Sequence, residues 1–223
     1  MTPIDQPVLD ASPRLLAVQE AAVAKLAYAL EQPGAGAVLC GPPGTGKSLV
    51  LESVRRLLEA GGQRCRVVVW QSLRESRLDE WPDVLLVDSV HDAAEGELAA
   101  VIGRCWATQP RARIVLAGSG RLVTLVARDP HVERRLGLRA VLTPCSRAET
   151  RRLVAEILTV GLPTAEATAS DIADTIHEIT GGVPAEVDRL ARLALVVATD
   201  PAAIALSPAV IERMHGRLAL TAA

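Results

Sequence analysis

The run Gly41-Pro42-Pro43-Gly44-Thr45-Gly46-Lys47-Ser48 constrains this chain more than any other stretch, because it fits the phosphate-loop pattern G-x-x-x-x-G-K-[ST] at every fixed position. It follows a short apolar run, Ala37-Val38-Leu39-Cys40, and precedes a helical pattern, which is the strand-to-helix setting such a loop requires. Glycines there let backbone N–H groups turn inward around β- and γ-phosphates, and the helix N-terminus adds partial positive charge. In that chemistry Lys47 neutralises phosphate charge and Ser48 offers a hydroxyl to Mg²⁺. The sequence therefore calls for a nucleotide and Mg²⁺, with Gly41 through Ser48 and the adjoining Leu49 as the nucleotide-binding set. A Gly/Pro-rich turn that fitted by chance would have no reason to place Lys-Ser at the first helical turn after an apolar strand. The chain writes its cations as twenty-two arginines and only two lysines, Lys25 and Lys47. Lysine stands at the one place where a compact ammonium is needed.

The 223 residues suit one α/β domain with a small appendage, or two small domains, and an apolar fraction of 49% is that of a globular chain. No apolar run approaches the roughly 20 residues that span a bilayer, and no charged-then-apolar leader opens the chain, so the expectation is a cytoplasmic protein. The cysteines, Cys40, Cys65, Cys105 and Cys145, are widely spaced, with no C-x-x-C pair to suggest zinc or redox work. They are expected to be buried free thiols. With no phenylalanine, one tyrosine and three tryptophans, the core must be aliphatic, and an aromatic platform for single-stranded nucleic acid is not expected. The net charge of −2 hides an uneven distribution: residues 75–103 hold eight acids and one arginine, whereas residues 104–152 hold eleven arginines against Asp129, Glu133 and Glu149. The second block reads either as an anion- or partner-facing surface or as solvated arginines spread over several elements.

In chain order, an extended Pro-rich lead-in over 1–13 gives way to a helix over 14–31, then the strand at 37–40, the loop and a helix over 47–60 stopped by Gly61-Gly62. Arg66 to Trp70 reads as a strand covered on both faces, residues 71–82 as polar connection, and Asp83 to Asp88 as a strand closed by an acid. A helix over 93–107, a strand over 113–117, a turn at Gly118-Ser119-Gly120, a helix over 121–128 and a last strand over 140–143 follow. Alternating strands and helices imply a three-layer parallel α/β fold. After Pro144 the pattern becomes all-helical. Ser146-Arg147-Ala148-Glu149 is a capping box, Gly161-Leu162-Pro163 and Gly181-Gly182-Val183-Pro184 are breaks between helices, and Ser207-Pro208 opens the final helix. The expected division is a nucleotide-binding core at 1–145 and a helical lid at 146–223.

Hydrolysis needs more than the loop. Asp88, at the end of Val84-Leu85-Leu86-Val87, fits an acid that holds the metal's water shell. Ser89 follows it and cannot act as a base near neutral pH; His91, Asp92 and Glu95 are alternatives from the next turn. Ser119, just past its strand, is placed either to contact the γ-phosphate or simply to form the turn. The succession of strand, GPPGTGKS, acidic strand end, polar strand tip, arginine before a final strand and helical lid resembles the AAA+ ATPases. More narrowly, Leu26-Ala-Tyr28-Ala-Leu30, Val87-Asp88-Ser89-Val90-His91, the run from Arg135 to Ser146 with Glu149, and Gly181-Gly-Val-Pro184 are similar to the ExeA-type general secretion component and the ATP-binding helpers of transposition.

This resemblance implies that Lys47, Asp88, Ser119 and Arg135 are catalytic, with Ser48 and Asp88 on the metal. Arg135, with Arg134 and Arg139 as alternatives, would be a finger reaching a neighbouring subunit's γ-phosphate, so a homo-oligomer is expected. Two departures stand out. The glutamate expected after Asp88 is Ser89, and the arginine expected after the lid's Gly-x-Pro is Ala185, with Arg189 one turn on. Together they imply ATP binding with slow hydrolysis by an assembly or secretion-type switch. The alternative is a DNA-binding regulator of transposition type, and in either case a protein partner would dock on this ATPase unit. A small-molecule kinase would need an arginine-rich lid over a second pocket, and only Arg147, Arg151 and Arg152 stand near the lid's start.

Overall fold

The computed structural model describes residues 15–75, 81–159, 166–199 and 206–221. The Pro-rich lead-in, the tract 76–80 and the expected break at Gly161-Leu162-Pro163 lie outside the described residues. The core runs α1 (Ala17–Ala29), β1 (Gly36–Cys40), α2 (Lys47–Ala60), β2 (Cys65–Val69), α3 (Trp70–Glu75), β3 (Val84–Asp88), a 3₁₀ turn (Val90–Asp92), α4 (Glu97–Thr108), β4 (Arg113–Gly118), α5 (Gly120–Ala127), α6 (Pro130–Arg135) and β5 (Leu138–Val141). Four helices follow: α7 (Arg147–Thr159), α8 (Glu166–Thr180), α9 (Pro184–Thr199) and α10 (Pro208–Thr221).

All five strands are parallel, in the order β2-β3-β4-β1-β5. The continuous aliphatic runs of β1, β3 and β4 occupy the centre, where helices cover both faces and every side chain is buried except at strand ends. On one face α1 and α2 pack Leu26, Leu30, Val50, Val54 and Leu58 against Ala37, Leu39, Leu86 and Val115. On the other, α3 to α6 pack Trp70, Ile102, Trp106, Leu122 and Val132 against Val38, Leu85, Val87 and Leu116. A third cluster, Val154, Leu158, Ile172, Ile176, Val187, Ala191 and Ile211, joins α7 to α10 to one another.

Two expectations need correction. Arg66 to Trp70 is not a doubly covered strand: β2 is an edge strand with Val67 and Val69 exposed, and Trp70 leaves it to start α3. Trp70 and Leu73 turn inward, and burying them outweighs the polar neighbours that suggested a loop. The last strand begins at Leu138, two residues early, because its pairing with Ala37 to Cys40 sets its register. The capping box forms as expected: the Ser146 N–H donates to Glu149 Oε2 at 2.8 Å and the Glu149 N–H to Ser146 Oγ at 3.3 Å. Cys40, Cys105 and Cys145 are buried and Cys65 is half-buried, all as free thiols. Burial pushes Cys65, Cys105 and Cys145 up to about 11.

Candidate functional site

The carboxyl ends of β1, β3 and β4 come level, because Cys40 pairs with Gly118 and Val87 with Leu116. Parallel strands expose their last groups at such an edge, and a ligand crevice opens there. The loop leaves β1 through Gly41, whose N–H donates to Gly118 O at 3.2 Å. A Cβ on Gly41 would lie 2.6 Å from Leu142 O, so β5 presses this turn from the other side. Gly44 and Gly46 have φ of +77° and +91°, conformations that a Cβ resists. Pro42 and Pro43 are exposed at the loop tip, while Thr45 is buried and donates from Oγ1 to Pro42 O at 2.8 Å. At the first turn of α2, N–H groups have no intrahelical acceptor and point toward the crevice mouth.

Lys47 lies across this loop, its Nζ donating to Gly41 O at 2.9 Å and Pro42 O at 2.8 Å. Partial burial lowers its pKa and the Asp88 carboxylate opposes that shift. The Ser48 hydroxyl donates to Asp88 Oδ2 at 2.5 Å, although β4 separates their strands. The other carboxylate oxygen, Oδ1, accepts the Ser89 N–H at 2.7 Å. Ser119 caps the tip of β4 as a half-buried residue, between the phosphate-loop strand and the acidic strand. Lys47, Ser48, Asp88 and Ser119 are thus brought to one edge.

The residues fit the groups the sequence calls for. Gly41, Gly44 and Gly46 let the loop backbone pack directly against Leu142, Val183 and Gln19, where side chains would collide, and the Ser48–Asp88 pair offers the hard oxygen donors that Mg²⁺ takes. Among the described residues, no cluster of three His, Cys, Asp or Glu side chains could hold a metal.

Beyond the loop, a cavity of about 610 Å³ runs between α2 and the helices after Pro144. Gly44, Gly46 and Leu49 line it from the loop side, Leu16 and Gln19 from α1, and Ile157, Pro184, Ala185, Asp188, Arg192 and Leu195 from the helices. The α9 residues recur at turn spacing and so form one stripe along the cavity. Its loop end is fixed by backbone: the Ala185 N–H donates to Gly44 O at 3.1 Å. Gln19 is a site residue that sequence reasoning missed. Almost wholly buried, it donates from Nε2 to Thr45 O at 3.0 Å and accepts the Leu16 N–H at 2.9 Å. Its only sequence signal is a polar residue within an apolar helical pattern.

Other candidates are placed elsewhere. Arg135 ends α6, beside Gly36 at the amino end of β1, so it lies a strand length, roughly 13 Å, from its own chain's loop. Arg189 pairs with Glu186 at 2.7 Å and does not line the cavity; Arg192, three residues on, does, and it pairs with Asp188 at 2.8 Å. Glu95 forms an ion pair with Arg128. Much of the arginine block is also engaged: Arg113 donates to Asp83 O and Leu30 O, Arg139 meets Glu133, and Arg147 and Arg151 meet Asp174.

No protein-family model matches the chain, and no curated protein matches its sequence. Solved structures do. Thermotoga maritima RuvB, a Holliday junction branch migration motor, superposes with a TM-score of 0.60 at 17% identity over 88% of this chain and 66% of its own. Aeropyrum pernix ORC2 protein, in ADPNP and ADP complexes, gives 0.61 at 15% over 90% of this chain and 68% of its own. The S. cerevisiae Hsp104–ADP complex gives 0.60 at 14% over 82% of this chain and 31% of its own. These likenesses show the fold, the parallel α/β AAA+ fold of those structures. Among the described residues, no helix is long and apolar enough to cross a membrane.

Proposed function

We propose that this chain is an ATP-binding switch that assembles with copies of itself and hydrolyses ATP slowly. The observation that carries the reading is the junction at Gly44. One loop residue shapes the phosphate cradle and accepts the Ala185 N–H from the lid, so a nucleotide held there touches both parts at once. Gly41 to Leu49 would hold ATP, with Ser48 and Asp88 toward Mg²⁺, whose charge would offset that of the phosphates. Core 1–145 and lid 146–223 would be the two bodies that ATP joins. Slow hydrolysis follows from Ser89, which cannot activate water, and from Ala185, which brings no charge to the phosphates. Arg135 is too far to serve its own site and faces outward, as a group acting on a neighbour's phosphate must.

ATP binding and turnover are measured on one purified sample, alongside Lys47→Ala, Ser89→Glu and Arg135→Ala. The reading expects micromolar-range binding with little turnover, loss of both in Lys47→Ala and a gain of turnover in Ser89→Glu. Mixing Lys47→Ala with Arg135→Ala should recover turnover that neither has alone, since one lends the arginine and the other the nucleotide site. Rapid turnover in the unaltered chain would sink the slow-switch reading.

The partner is a protein of secretion or transposition type in this reading. A second reading, DNA binding, draws on the arginine-rich block and on likeness to RuvB and a DNA replication initiation factor. Such binding must weaken steeply as salt rises, through counterion release. No DNA binding at low salt with ATP present disposes of it.

A further inference from the structure

Three arginines stand at the base of β5, and the chain holds each of them differently. Arg139 is turned to Glu133, Nη2 to Oε1 at 2.8 Å, which offsets its charge and engages one of its donors. Arg134 is exposed in a groove lined by Tyr28, Glu31 and Leu138, and among the described residues it makes no ion pair and no stack on a ring. Arg135 lies over the indole of Trp106, its Cζ 4.8 Å from the ring centroid.

That ring is itself fixed. Trp106 is 7% exposed in the last turn of α4, in the cluster that joins Leu116 of β4 and Val132 of α6, and its Nε1–H donates to Ala112 O at 3.2 Å. Trp106 is one of three tryptophans in a chain with no phenylalanine, so a large flat ring at this position is conspicuous. Stacking uses the face of a guanidinium and leaves its five N–H donors pointing outward at the edge. An ion pair does the reverse. Of the three arginines, only Arg135 is both held in place and left with its charge and donors available.

We propose that Trp106 is the positioning residue for Arg135, and that it holds this arginine, rather than Arg134 or Arg139, ready for the phosphate of a neighbouring copy. The inference rests on the trans-arginine reading above, and the two can fail separately. A preset guanidinium loses less rotamer freedom when the copies meet, so the gain belongs to the step that uses the arginine and not to ATP binding.

The test is single-turnover ATP hydrolysis at concentrations that assemble the full chain, with ATP affinity measured in parallel. Arg135→Ala should slow turnover by roughly 10³-fold. Trp106→Leu should slow it about five-fold and leave ATP affinity within about two-fold. Trp106→Phe keeps a ring face and should stay within about two-fold of the unaltered chain. In the Arg135→Ala background, Trp106→Leu should cause no further loss. Equal losses on both backgrounds, a loss in Trp106→Phe as large as in Trp106→Leu, or normal turnover in folded Trp106→Leu would each overturn the inference. If Trp106→Leu does not fold, Trp106→Phe decides, since it drops the Ala112 bond but keeps the stack; a five-fold loss there counts against positioning by the ring. Normal turnover in Arg135→Ala, or none in the unaltered chain, would overturn the trans-arginine reading itself.

Discussion

Ser89 departs from the expected chemistry in its backbone as well as its side chain. Its φ of +60° makes it the only non-glycine residue in the left-handed region among the described residues, and it stands directly after the acid that meets Ser48. The Ser89 N–H also meets Asp88 Oδ1, which fixes the carboxylate that faces the loop. A glycine at this position would keep that bond and shed the strain, less its own greater unfolded-state entropy. Ser89→Gly should therefore stabilise the chain by about 0.5–1 kcal/mol, read from the midpoint of denaturant unfolding. A destabilised Ser89→Gly would show that the hydroxyl, not the N–H, holds the turn. The acid at 88 was legible from its place at the end of an apolar run; the left-handed turn after it was not, because serine carries no signal for it.

At the scale of elements, α1 is tied to the phosphate loop through one side chain. Gln19 spans Leu16 N–H and Thr45 O, and a Cβ on Gly46 would collide with its amide, so helix and loop are fitted to each other. Gln19→Leu keeps the volume but strands a buried carbonyl and a helix-end N–H. It should cost about 1–3 kcal/mol and weaken ATP binding, measured by denaturation and nucleotide titration on the same variant. Unchanged binding would mean that the loop holds its shape without α1. The contact joins residues 26 positions apart, so no local pattern announces it. The α9 stripe is a similar case. Sequence spacing drew attention to Arg189, one turn past Ala185, whereas the helix puts Asp188 and Arg192 on the cavity side and gives Arg189 to Glu186. A one-residue change of helical phase is about 100°, enough to move a side chain off the face.

For the whole molecule, the cavity between α2 and α9 links the proposed ATP binding to stability. ATP that bridges both sides binds only the folded, joined form, so at about one hundred times its dissociation constant it should add about 2.7 kcal/mol to unfolding. Thermal melts with and without ATP and Mg²⁺ check this, with Lys47→Ala expected to show no shift; an equal shift in Lys47→Ala would place the ligand elsewhere. The sequence by itself determined the phosphate loop, the parallel α/β core, the acid at Asp88 and the helical run after Pro144. Each is written locally, in glycine placement, apolar periodicity and capping residues, and local signals survive in a linear reading. Only the tertiary structure decided that β4 lies between the loop strand and the acidic strand, that Ala185 is bonded to Gly44, that Gln19 braces Thr45, and that Trp106 lies under Arg135. Those relations join residues far apart in the chain, and they are set by which faces bury together rather than by any one stretch of residues.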